Sequence, residues 1–123
     1  MQQAQVLTYG IDGVLAERLR ELAQVRRFWL RETSQLSACQ NLATTSAPGV
    51  LVLLLGSNLE QELALLSQVH SCLPTTRTVV VGETANPVLA GLAWDLGATY
   101  ALFPPTSAEV IVDLIPLLLP VDR

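Results

Sequence analysis

The segment Val50-Leu51-Val52-Leu53-Leu54-Leu55 constrains the fold more than any other part of this chain. It is six consecutive aliphatic residues with no polar alternation, bounded by Ala47-Pro48-Gly49 before and Gly56-Ser57-Asn58 after. A run this short between turn formers suits a strand, and a strand apolar on both faces must be covered on both. That is the situation of a central strand in a parallel sheet with helices on each side.

The neighbouring segments change period in step with this reading. Val6 to Tyr9 is a short β-favouring run ending in Gly10-Ile11-Asp12-Gly13, where Asp12 has the chemistry of a helix cap. Val14, Leu15, Leu19, Leu22 and Ala23 follow at spacings of three and four, with Glu17, Arg18, Arg20 and Glu21 on the other faces. That pattern is an amphipathic helix. Arg27 to Arg31, bracketing Phe28, Trp29 and Leu30, predicts a second strand, and Thr33 or Ser34 the cap of a helix reaching about Ala43.

After the central run, Leu59 to Leu73 has helical spacing and Thr78 to Val81 predicts a strand ending at Gly82. Asn86 caps and Pro87 opens a helix to about Leu96, where Gly97 is placed to end it. Thr99 to Phe103 predicts a fifth strand, stopped by Pro104-Pro105, and Thr106 or Ser107 caps a last helix from about Ala108. Strands alternating with helices over short connections predict one α/β domain across residues 1–123, a doubly wound parallel sheet.

Charge and composition narrow the function. The net charge is −4 and every cation is an arginine, so no mechanism that needs lysine is open to this chain. An acidic domain is a poor binder of the phosphate backbone, and direct contact with nucleic acid is not expected. Val110 to Val121 is the longest nearly apolar stretch, but Asp113 and Pro116 interrupt it and it falls short of the roughly 20 residues of a membrane span. The N-terminus lacks the basic and apolar regions of a secretory signal, so the expected address is the cytoplasm, with no membrane partner. Cys39 and Cys72 belong to no metal or redox motif and read as small buried hydrophobes; His70 is the single histidine.

Two segments carry a resemblance to the receiver domains of bacterial response regulators. Gly97-Ala98-Thr99-Tyr100-Ala101-Leu102-Phe103-Pro104-Pro105-Thr106-Ser107-Ala108-Glu109 is similar, without gaps, to that family's glycine-alanine-acid-acid-aromatic-x-x-lysine-proline segment and the serine-proline-glutamate helix start after it. Pro48-Gly49-Val50-Leu51-Val52-Leu53-Leu54 resembles the proline-aspartate-aliphatic strand that ends in the family's phosphorylated aspartate. The resemblance implies a flavodoxin-like (βα)5 fold with strand order 2-1-3-4-5.

Receivers take phosphate onto an aspartate held beside an acidic pair and a magnesium ion, with a hydroxyl residue and a lysine on the phosphoryl oxygens. Carried over by position, the acceptor falls on Leu54, the acidic pair on Gly10 and Ile11 with Asp12 next to them, the hydroxyl on Gly82 and the lysine on Pro104. A carboxylate nucleophile needs cations to offset its transferred charge, and none of these residues supplies one. The resemblance thus implies the scaffold without the phosphotransfer, a pseudo-receiver with no catalytic residue, no metal and no cofactor. The family's aromatic switch position falls on Ala101, or on Tyr100 if one residue is deleted.

Function is then expected on a surface. The predicted helices Val88 to Leu96 and Val110 to Leu119 are apolar on nearly every face, more than packing on one side of a sheet requires. In receivers these helices and the strand between them form the usual partner face. Leu92, Trp94, Asp95, Tyr100, Ile111 and Leu118 are therefore expected contacts for a protein partner or a second copy in a homodimer. Two other readings stay open. Arg26, Arg27 and Arg31 around Phe28 and Trp29 form an anion or nucleic-acid patch, or a solvated strand edge. A small-ligand or nucleotide sensor would use the crevice at the strand ends near Gly10, Gly56 and Gly82, lined by Ser57, Asn58, Glu83, Thr84 and Asn86.

Overall fold

Strand β3 (Val50–Leu55) lies at the middle of a five-stranded parallel sheet in the computed structural model, which describes residues 4–56, 58–106 and 108–119. It pairs with β1 (Gln5–Tyr9) on one side and β4 (Arg77–Gly82) on the other, with β2 (Trp29–Thr33) and β5 (Tyr100–Leu102) at the two edges. The order is β2-β1-β3-β4-β5. Helices α1 (Gly13–Arg26), α2 (Leu36–Ser46), α3 (Leu59–Cys72), α4 (Pro87–Asp95) and α5 (Ala108–Leu118) each follow a strand, completing the doubly wound arrangement expected.

Alternation along β3 divides its side chains between two cores. Leu51, Leu53 and Leu55 pack with Cys39 and Ala43 of α2, Leu65, Leu66 and Val69 of α3, and Ala93 of α4. Val50, Val52 and Leu54 face the other way, toward Leu19 of α1 and Ile111 and Ile115 of α5. Both faces of β3 are therefore covered, and the absence of polar alternation in its sequence has its reason there.

Several local expectations are corrected. Asp12 occupies the N-cap of α1, but its carboxylate makes no capping bond. Helix α2 starts after Gln35 rather than at Thr33 or Ser34. Thr33 instead completes β2, its hydroxyl donating to the carbonyl of Thr8 at 2.6 Å. The second strand begins at Trp29 because Arg27 turns the chain in a left-handed conformation (φ 58°) to cap α1, and Phe28 is buried in the second core. β5 is shorter than its apolar run. Cys39 is buried as expected, but Cys72, on the last turn of α3, is exposed. The cap of α4 agrees with expectation: Asn86 Oδ1 accepts from the backbone N–H of Leu89 at 3.0 Å, with Pro87 in the first turn.

Candidate functional site

In sheets of this kind ligands bind beyond the carboxyl ends of the strands, so the contents of that region decide what chemistry is open. Gly10 follows β1 with φ +73°, and a Cβ built there would lie 3.3 Å from the Cβ of Leu54. Leu54 and Ile11 are half-buried and pack onto the second core. Beside them Gly82 ends β4 beneath the ring of Phe103, which occupies the space a side chain at Gly82 would need. Pro104 follows, half-buried. The fold thus brings Gly10 against Leu54 and Gly82 against Phe103, and the contacts in both places are apolar.

The polar residues of this end have separate surroundings. Asp12 is exposed. The Glu83 carboxylate lies beside Gly56, its Oε1 3.0 Å from where a Cβ of Gly56 would stand. Asn58 turns its amide to Gln61, donating to Oε1 at 2.8 Å. Ser57 lies outside the described residues. Among the described residues no three of His, Cys, Asp and Glu come together as a cation would require. Gly10, Ile11 and Leu54 bring no side-chain donor, and a lone exposed Asp12 is too little for a magnesium ion, which is held by carboxylates with substrate phosphate. These residues do not fit the metal that receiver chemistry uses.

The most polar feature near this end is one the sequence reading missed. Glu62 in α3 is fully buried; it accepts the phenol of Tyr9 at 2.8 Å, the N–H of Gly56 at 2.9 Å and the N–H of Asn58 at 3.3 Å. Burial, together with the hydrogen bond and charge of Glu62, pushes the Tyr9 phenol up to about 12. The signal was present in the spacing: Glu62 stands in line with Leu66 and Val69 on the buried stripe of α3. An acid on an apolar stripe must find donors inside the protein, and here it finds three.

The second candidate is the face built by α4, β5 and α5. Trp94 and Tyr100 pack edge to face with ring centroids 6.1 Å apart and planes at 65°. Both remain substantially exposed, at 48% and 38%, together with Leu92 at 41%. Asp95, beside Trp94, is exposed too. Two expected contacts are covered, one wholly and one in part. Ile111 is buried and Leu118 half-buried, both packed into the second core, because α5 lies against α1, where Arg18 and Glu109 form an ion pair. Val88, Val110 and Leu117 are the exposed apolar residues of α4 and α5 that the sequence reading passed over.

Arg26 and Arg27 end α1 and precede Trp29, which is 51% exposed and carries the Arg31 guanidinium 5.5 Å from its ring centroid. Phe28, between them, is buried, so of the two aromatics only Trp29 belongs to a surface.

By sequence the chain matches no family model and no curated protein. By structure it is a flavodoxin-like domain of the receiver fold. It is similar to an orphan response regulator of H. pylori at TM-score 0.80 and 18% identity, over 95% of this chain and 97% of that one. It is also similar to a CheY-like receiver domain protein from Methanospirillum hungatei, at TM-score 0.79 and 10% identity, with 94% and 93% covered. A response regulator protein from Burkholderia multivorans matches at TM-score 0.76 and 18% identity, with 99% and 100% covered. At such identities the likeness is one of fold. Among the described residues no helix is long and apolar enough to cross a membrane.

Proposed function

We propose that this chain is a receiver-like signalling module that works without aspartyl phosphorylation, through the face formed by α4, β5 and α5, by binding a protein partner or a second copy. One observation carries the reading: where the family's acceptor carboxylate stands, Leu54 packs against Gly10, with Ile11 on the same apolar core. A phosphoryl group there would need a nucleophile, a cation and a hydrogen-bond donor, and the residues in place offer aliphatic carbon. What is left to read a signal is surface, and Trp94 and Tyr100 form an exposed edge-to-face pair of the residue types enriched at binding interfaces.

The other reading, a small-ligand or nucleotide sensor at the strand ends, is less well supported. Such a pocket needs convergent polar groups, whereas Leu54 lies over Gly10 and Phe103 over Gly82, and the Glu83 carboxylate is the polar group beside Gly56.

The test is incubation with acetyl phosphate and Mg2+, and separately with beryllofluoride, followed by intact-mass measurement and sedimentation. The expected result is no phosphoryl adduct and no change in sedimentation. An acid-stable, hydroxylamine-labile phosphoryl group on any aspartate would overturn the reading.

A further inference from the structure

The two aromatic patches of this protein lie at opposite edges of one sheet and differ in charge. At the β2 edge, Trp29 is exposed with Arg31 over its ring, and Arg27, the cap residue of α1, stands two residues before it. Val25, 75% exposed, adds an apolar element from the last turn of α1. Among the described residues the ion pairs use Arg18 and Arg20, so Arg26, Arg27 and Arg31 hold uncompensated positive charge on a chain whose net charge is −4.

At the other edge, α4, β5 and α5 contain Asp95, Glu109 and Asp113 and no cation. Glu109 is paired with Arg18 of α1, which leaves Asp95, exposed next to Trp94 in α4, and Asp113, exposed on α5. A symmetric dimer through this face would bring each acidic face against its own copy with no positive charge to offset it. Like charges set opposite one another across an interface are penalised. The β2 edge supplies what that face lacks: arginine, whose planar guanidinium pairs with carboxylates and stacks on aromatic rings, next to an exposed indole.

We propose that a second copy of this chain docks head to tail, the β2 edge of one copy (Val25, Arg27, Trp29, Arg31) on the α4–β5 face of the next (Leu92, Trp94, Asp95, Tyr100). The proposal rests on the reading of that face as the site of function, and specifies its occupant. A contact between two different patches is heterologous, so each copy keeps one free patch and assembly continues beyond the dimer unless a ring closes.

The experiment is sedimentation velocity of the full chain over a concentration series at low and high salt. It uses wild type, a β2-edge variant (Arg27→Glu with Arg31→Glu) and an α4-face variant (Trp94→Asp), each checked for fold by circular dichroism. The expected wild-type mass rises with concentration past the dimer and falls at high salt. Each variant alone stays monomeric, while their equimolar mixture forms a dimer and stops there, because only one complementary pair of patches remains. If Trp94→Asp does not fold, Asp95→Arg takes its place.

A β2-edge variant that associates as wild type does would overturn the proposal and leave the α4–β5 face as a symmetric contact. A wild type that stays monomeric at every concentration would overturn it while leaving that face to a different protein. A mixture of two folded variants that stays monomeric would overturn it as well.

Discussion

The phenol of Tyr9 donates to the carboxylate of Glu62 across 53 residues of sequence, at 2.8 Å, inside the protein. The same carboxylate accepts the N–H groups of Gly56 and Asn58, so one side chain of α3 ties the end of β1 to the turn that follows β3. Replacing it strands the buried Tyr9 phenol, at a cost of about 1–3 kcal/mol, while the N–H groups of Gly56 and Asn58, on exposed residues, can turn to water. Glu62→Ala is expected to lower stability by about 1–3 kcal/mol, and Glu62→Gln, which keeps one acceptor oxygen, by less. Urea denaturation with unchanged slope would measure it.

Tyr9 gives a pH dependence of definite sign. Its phenol ionises near 10 in an unfolded chain and at about 12 in the folded one, first because it is buried and then because Glu62 holds its proton. A raised value means that the neutral phenol contributes stability fully below pH 10, and that this contribution is lost as pH rises through about 12. In a Tyr100→Phe background, where Tyr9 is the sole tyrosine, phenolate absorbance should rise only near the upper end of that window. Tyr9→Phe should flatten the alkaline loss of stability; an unchanged curve would remove Tyr9 as its cause.

The two cysteines are expected to behave differently. Cys39 is buried in the core, and its burial pushes the thiol up, away from the reactive thiolate. Cys72 is exposed at the end of α3. A thiol reagent should therefore modify one cysteine per native chain within minutes, and two after denaturation. Cys72→Ser should leave the native protein unreactive.

Glycine substitutions probe how tightly the strand ends are filled. Gly82→Ala would set a methyl into the ring of Phe103, forcing the ring or the strand to move, and such overpacking typically costs about 1–3 kcal/mol. Gly10→Ala combines a positive φ with close approach to Leu54 and should destabilise by about 1–2 kcal/mol. Gly91→Ala, on α4 with open space around it and a helical residue, should be neutral or slightly stabilising. If Gly82→Ala behaved like Gly91→Ala, the filled pocket would be wrong. Melting temperatures of the three variants decide this.

The order of elements was legible in the sequence because each depended on local rules: the aliphatic run of β3, the Asn86-Pro87 start of α4, the alternation of strand and helix. That the chain contains no lysine and has leucine at position 54 was equally legible, since the presence or absence of a functional group is a property of the sequence itself. Where chain ends and caps competed, local rules failed. Asp12 and Thr33 had capping chemistry, but Asp12 stayed free and Thr33 was drawn into β2 by pairing with Tyr9.

The tertiary structure alone decided which apolar residues were surplus. Ile111 and Leu118 looked like surface contacts on a helix apolar all round, and packing of α5 against α1 took Ile111 into the core and covered part of Leu118, while Leu92, Trp94 and Tyr100 stayed outside. Periodicity tells how much of a helix is apolar, but not how many neighbours will cover it. Glu62 shows the converse: a carboxylate reads as surface until a phenol and two amides from distant segments converge on it. Such convergence is a property of where the sheet brings β1 and β3 together, and no stretch of sequence contains it.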